Sequence, residues 1–263
     1  MKKETLTANW QKHWMALSII MLLFFGACVP QKRLQYLLDE EHQVQFENPH
    51  QPEYRIQPGD NLYIQVLGLD RETADLFSIQ PGGVSRQYLN NELSVFLSSY
   101  TVNPDGFIEF PIVGSVYVKD KTVDEIKILV QQAINEYMRD ATVIVKFVNF
   151  RVSVLGEVKS PGQYPVYQTQ INVFEALAKA GDMSPWGDRK RVQLVRKTIT
   201  GSEVYELDLS RRSILESEFF YLLPDDIVYV MPMQAKTFAF TTFPYSIIFS
   251  TITTTLLILN FLN

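Results

Sequence analysis

The chain has 263 residues, 46% of them hydrophobic, and carries 24 Lys and Arg against 29 Asp and Glu for a net charge of −5. That length admits one large or two small domains with ample core, and an acidic balance argues against a nucleic-acid binder, which shows a basic face. The histidines are His13, His42 and His50 and the single cysteine is Cys28, so residues 54–236 hold neither type; a Ser-His-Asp triad, a cysteine nucleophile and a His- or Cys-ligated metal are excluded there, and no catalytic residue, metal or cofactor is expected.

At the N-terminus, Lys2, Lys3 and Lys12 precede an apolar stretch over 15–27 that ends Gly26-Ala27-Cys28. Small residues before a cysteine suit a lipoprotein signal peptidase, with the Cys28 thiol as the lipid acceptor. The alternative is a short transmembrane anchor, but the run is ~13 residues where a span needs ~20. The expectation is a signal peptide over 1–27, removed to leave a lipidated Cys28. Its removal takes three Lys and one Glu, and the net charge from −5 to −7. Residues 28–53, with Pro30, Pro49 and Pro52, read as a solvated tether. Leu34, Tyr36, Leu37 and Leu38 offer at most a short helical turn within it.

Folded structure begins at Tyr54-Arg55-Ile56-Gln57-Pro58-Gly59-Asp60, where Pro-Gly-Asp is a turn and Leu62, Ile64 and Val66 alternate as a half-buried strand. Residues 69–99 lack periodicity and read as a long loop or insertion. Residues 100–118 read as strand, a Pro104-Asp105-Gly106 turn, strand, a break at Gly114 and a further strand. Thr122 and Glu125 form a capping box for a helix whose apolar face is Val123, Ile126, Leu129, Val130, Ala133 and Ile134. A strand over 141–148 puts Val143, Val145 and Phe147 on one side.

A second module starts near Arg151. Strand–turn–strand spans 152–164, and a helix capped by Asn172 with Glu175 follows, facing Val173, Leu177 and Ala180 inward and stopped by Gly181. Strands over 192–196 and 203–207 flank a Gly201 turn, and 221–230 closes the body. Pro58-Gly59-Asp60-Asn61-Leu62-Tyr63-Ile64 echoes Pro224-Asp225-Asp226-Ile227-Val228-Tyr229-Val230. The fold class is α+β, two small units in series, each a sheet curled around one helix.

Lys236 is the last charged residue, and residues 237–263 form an uncharged segment with Pro244 at the start of a helix. Residues 245–262 would give ~27 Å of helix against a hydrocarbon core of ~30 Å. Ser246, Ser250, Thr253, Thr254 and Asn260 recur on one face, opposite Ile248, Ile252, Leu256 and Leu259. Three readings stand: a single-span anchor, a helix that joins its copies in a membrane-crossing ring with the polar side inward, and a buried or interfacial helix. Hydroxyls that bond their own backbone would produce the same pattern.

The stretch from Tyr54 to Leu62, with Asn103-Pro104-Asp105-Gly106-Phe107-Ile108-Glu109-Phe110-Pro111, resembles the polysaccharide export domain of Wza-type outer-membrane lipoproteins. Leu155-Gly156-Glu157-Val158-Lys159-Ser160-Pro161-Gly162-Gln163-Tyr164, with Ala176-Leu177-Ala178-Lys179-Ala180-Gly181, resembles the soluble-ligand-binding β-grasp (SLBB) module that follows it. The resemblance implies an export domain over 54–150, an SLBB domain over 151–232 and a C-terminal transmembrane helix within 237–263. It also implies a homo-oligomeric ring that moves capsular or exopolysaccharide across the outer membrane, with terminal helices forming the pore, Ser246, Ser250, Thr253, Thr254 and Asn260 lining it, and a periplasmic body above an inner-membrane polysaccharide copolymerase. Longer members carry a second β-grasp module, and the 69–99 insertion has no counterpart. Val29 is not the acidic residue that retains some lipoproteins in the inner membrane.

Two other functions are weighed against this. One is a membrane-tethered sugar- or partner-binding scaffold without a pore. The other is a carboxylate glycosidase using Asp105, Glu109, Asp225 or Asp226, whose positions beside Pro and Gly read as turn chemistry. The runs Arg189-Lys190-Arg191 and Arg211-Arg212 read as solvated faces, and Trp186 as a loop anchor before a sugar-stacking platform.

Overall fold

The turn at Pro58-Gly59-Asp60 shows how the first module begins. In the computed structural model, which describes residues 34–38, 45–49, 53–77, 79, 92–198, 200–234 and 245–262, Gly59 has φ +94° and the Asp60 carboxylate accepts from the Gln57 N–H at 2.8 Å. The closed turn feeds β1 (Asn61–Leu67), whose Leu62, Ile64 and Val66 are buried on one face.

The expected loop at 69–99 contains two helices, α1 (Arg71–Asp75), capped by Asp70, and α2 (Glu92–Leu97). Neither reaches two full turns, too short for a 3.6-residue period to register in sequence. β2 (Tyr100–Thr101) pairs with β1, and β3 (Phe107–Phe110) with β4 (Gly114–Tyr117) makes a separate hairpin. Helix α3 (Val123–Asn135) carries the full Thr122–Glu125 capping box. β5 (Thr142–Phe147) runs antiparallel to β1, giving the order β2-β1-β5. Ile126, Val130 and Ile134 of α3 share a core with Leu62, Ile64, Val143 and Val145, at about 1.5–3 kcal/mol for each aliphatic side chain fully buried.

The second module contains β6 (Arg151–Gly156), β7 (Gly162–Pro165), α4 (Val173–Lys179), β8 (Gly187–Thr198), β9 (Gly201–Leu207), a 3-10 turn (Arg212–Glu216) and β10 (Ile227–Pro232). Its five strands lie in the order β7-β6-β10-β8-β9. The first and last strands, β6 and β10, are parallel neighbours at the centre, and the other pairs are antiparallel. The Asn172–Glu175 capping box starts α4, and Gly181 at φ +75° ends it. Val173, Ala176 and Leu177 join Val152, Val154, Val192, Leu194, Val228 and Val230 in a second core.

The tether departs from its expected solvation. Residues 34–38 lie on the second module, where the Leu37 and Leu38 N–H groups donate to the carbonyls of Leu209 and Ser210 at 3.3 and 2.7 Å. The physical reason is the apolar cluster itself: Tyr36 and Leu37 pack against the second core and gain from leaving water.

The terminal helix, α5 (Tyr245–Leu262), spans 18 residues. Its predicted role as a membrane span needs correction: among the described residues no helix is long and apolar enough to cross a membrane. At ~1.5 Å per residue it falls short of a ~30 Å core, and Ser246, Ser250, Thr251, Thr253, Thr254, Thr255 and Asn260 dilute its apolar content.

Candidate functional site

The two modules meet over a short connection, and the echoed turns come near enough there for the Asp225 charge to act on Asp60. Asp60 and Asp226 occupy equivalent places. Each closes its turn by a backbone bond to the residue three before it, and each carboxylate accepts from that residue's N–H, Gln57 at 2.8 Å and Leu223 at 2.7 Å. Gly59 and Asp225 hold the matching positive φ, +94° and +65°. The sequence echo is therefore a repeated turn that launches β1 and β10.

The surroundings of the two carboxylates differ. The Tyr54 hydroxyl donates to Asp60 at 2.9 Å, and its ring stacks on Phe147 at 5.2 Å, which in turn stacks on Phe150 across the connection. Burial pushes the Asp60 carboxyl above its ordinary value, and the nearby Asp225 charge adds to this. Burial and the Asp60 charge likewise push the Tyr54 phenol up. Asp226, 1% exposed, instead holds Arg196 in a two-toothed ion pair with a shortest distance of 2.7 Å. Burial pushes Asp226 up while Arg196 pulls it down, and burial is the larger effect.

These commitments decide the carboxylate candidates. Asp226 is spent on Arg196, Asp225 is exposed in its turn, and Glu109 accepts from the Ser115 hydroxyl on the hairpin. Asp105 lies on the Pro104–Gly106 turn of the first module, so the four are distributed between turns and a hairpin. Among the described residues no group of His, Cys, Asp and Glu is placed to hold a metal ion.

The basic runs are divided as well. Along β8, Arg189 is buried and Lys190 exposed. Arg211 pairs with Asp208 at 3.5 Å, while Arg212 donates to the Leu37 carbonyl at 3.2 Å. The expected solvated faces are thus corrected at Arg189 and Arg212, because strand alternation turns Arg189 inward and the docked tether takes up Arg212. Trp186 is half-buried in a loop whose backbone is fixed at both faces, its N–H donating to the Ser184 hydroxyl and its carbonyl accepting from Met233.

Cys28 lies outside the described residues. On α5, the hydroxyls of Thr253, Thr254 and Thr255 each donate to the carbonyl four residues back, at 2.7 Å. Ser246, Ser250 and Asn260 are exposed, as are Phe249, Ile252, Leu256, Leu257 and Phe261. The side chains of Ile248 and Leu259 lie outside the described residues.

The family model for polysaccharide biosynthesis/export proteins matches residues 48–148, and that for the SLBB domain matches residues 150–230. The chain belongs to the polysaccharide biosynthesis/export family, with an SLBB domain. The repeated turns therefore lie at the junction of an export domain and an SLBB module. The chain is 32% identical over 152 residues to the EPS I polysaccharide export outer membrane protein EpsA of Ralstonia nicotianae, covering 54% of this chain and 38% of that protein. It is 28% identical over 169 residues to the exopolysaccharide production protein ExoF of Rhizobium meliloti, covering 62% of this chain and 36% of that protein. The alignments thus span less than two fifths of the length of these curated relatives.

Sequence reasoning missed Tyr36, the Arg196–Asp226 pair and the Tyr54–Asp60 bond. Only the first had a signal, an aromatic set among leucines in an otherwise polar tether.

Proposed function

We propose that the chain is a non-enzymatic subunit of an oligomeric outer-membrane translocon that exports capsular or exopolysaccharide. The supporting observation is the export domain–SLBB order in one chain, together with relatives named as outer-membrane polysaccharide export proteins. Cys28 carries the lipid that pins each subunit to the membrane, and the body is periplasmic. Copies assemble as a ring whose base receives the polymer from an inner-membrane polysaccharide copolymerase. Helix α5 works by packing against its copies, with the face that carries Ser246, Ser250, Thr253, Thr254 and Asn260 toward the ring's interior and water met chiefly at Ser246 and Asn260 near its two ends. A hydrated polymer passes a wall of weak, exchangeable contacts, because tight sites would stall it.

A second reading is a membrane-tethered periplasmic scaffold that binds sugar or a partner without a pore. It is favoured by one observation, that no described helix is long and apolar enough to cross a membrane. Imaging of the particle extracted in mild detergent separates the two. A closed ring of copies is expected from a translocon subunit, and a monomer would refute it.

A further inference from the structure

We infer that residues 34–38 are a latch that seats the lipid-proximal end of the chain on the SLBB module, so that an anchor at Cys28 bears on that module and not on the export domain beside it in sequence. The inference rests on the proposed lipidation of Cys28.

The latch is held by several kinds of contact. The Leu37 and Leu38 amides donate to the carbonyls of Leu209 and Ser210, and Arg212 returns a bond to the Leu37 carbonyl. Leu37 has φ +54°, a conformation that a side chain adopts only where its surroundings hold it. The Tyr36 hydroxyl donates to Asp182 at 2.5 Å, in the turn that follows α4, and its ring meets Phe174 of α4 edge-on at 5.6 Å.

Arg189 explains why an aromatic is needed. Its guanidinium is buried, and its Nε has no hydrogen-bond partner among the described residues. Its face lies on the Tyr36 ring at 4.7 Å, a contact that compensates a desolvated cation. Removing Tyr36 would take away both the cover of Arg189 and the donor to Asp182.

Chain lengths decide which module carries the anchor. Five residues lie between Cys28 and Leu34, six steps along the chain with a reach of at most about 20 Å at ~3.3–3.6 Å per residue. The fifteen residues 39–53 that lead back to the export domain reach about 50 Å by the same measure. The shorter connection is thus on the SLBB side. β10, from which the chain continues toward α5, belongs to that same module.

Amide hydrogen exchange on the full chain in detergent micelles tests this, with strand 142–147 as internal reference. Leu37 and Leu38 should be protected, Tyr36→Ala should speed their exchange at least tenfold, and Tyr36→Phe, which keeps the ring, by about fivefold for one lost hydrogen bond. Exchange at the rate of unstructured chain in the wild type, or no change in either variant, overturns the latch. If Tyr36→Ala also exposes 227–232, the module has unfolded, and Tyr36→Phe decides alone. Palmitate labelling reads the anchor separately. A protected but unlabelled chain overturns the anchor at Cys28 and the latch's role in carrying it, whereas a labelled, unprotected chain overturns the latch and leaves the lipidation standing.

Discussion

Gly156 opens the Gly-Glu-Val segment of the SLBB motif, and its environment predicts a large effect for one added methyl group. Its φ is +86°, and a Cβ there would lie 2.1 Å from the Val230 carbonyl oxygen and 3.0 Å from the Tyr229 ring. The first distance is about 1 Å inside a close C–H···O contact of ~3.3 Å. The oxygen cannot move freely, because it accepts from the Glu157 N–H at 3.0 Å within the parallel β6–β10 pairing at the centre of the sheet. Gly156→Ala therefore costs about 1–2 kcal/mol for the left-handed backbone and about 1 kcal/mol for the lost bond. Residual strain brings the total to about 2–4 kcal/mol. Gly59 is the control: its φ is +94° but nothing lies within 4 Å of an added Cβ, so Gly59→Ala should cost only the backbone share, about 1–2 kcal/mol. Trp186 lies in the second module and is the only tryptophan after residue 14, so its fluorescence in urea follows that module. The Gly156→Ala midpoint should fall by about 1–2 M, while Gly59→Ala should leave the Trp186 transition in place. Equal midpoints for Gly156→Ala and wild type would refute the steric argument.

Arg196→Met strands a buried carboxylate, and should lower the Trp186 midpoint by the equivalent of about 3–5 kcal/mol at pH 7. Because burial already raises Asp226, the loss should shrink as the pH falls and the stranded acid takes up a proton; equal losses at pH 5 and pH 7 would argue against a charge effect. Asp60 has a raised carboxyl pKa in the folded chain. The stability it contributes is present below the ordinary carboxylate range and lost as pH rises through the raised value. Asp60→Asn, keeping an acceptor for Tyr54 and Gln57, should therefore flatten the decline in stability above about pH 4, as followed by far-UV circular dichroism. Cys28→Ser should abolish palmitate labelling and weaken membrane retention while both modules keep their unfolding midpoints; a body that fails to fold without the lipid would contradict the separation of anchor from fold.

The two helices with capping boxes were legible because their signals are local. Thr122–Glu125 and Asn172–Glu175 each sit three residues apart at the edge of an apolar period, and both boxes form. The strands with alternating Leu62-Ile64-Val66 and Val143-Val145 were legible for the same reason. The docking of Tyr36 was not, because it depends on a buried Arg189 that lies 153 residues away and on a turn carboxylate, Asp182, that lies 146 residues away. The Arg196–Asp226 pair is hidden in the same way, since pairing β8 with β10 is what brings the two side chains together. The turn echo was visible, but that Asp60 meets a phenol and Asp226 a guanidinium was fixed only by tertiary neighbours.

Helix α5 shows where composition misleads. In sequence, its hydroxyls form a polar stripe; in the fold, those of Thr253, Thr254 and Thr255 are turned to their own backbone. At 100° per residue these three consecutive positions point in three directions, so back-bonding lowers the polarity of the helix around much of its circumference. Ser246 and Asn260, near its two ends, are then the polar side chains best placed to meet water, and the middle of the helix presents methyl groups beside Ile252 and Leu256. Such a helix is better suited to packing against its copies than to lining an aqueous wall along its whole length. Replacing Thr253 and Thr254 together by Val keeps shape and removes the hydroxyls. If assembly rests on packing, the double variant should form particles of wild-type size in detergent, whereas dispersal to monomers would show that the hydroxyls bond between subunits.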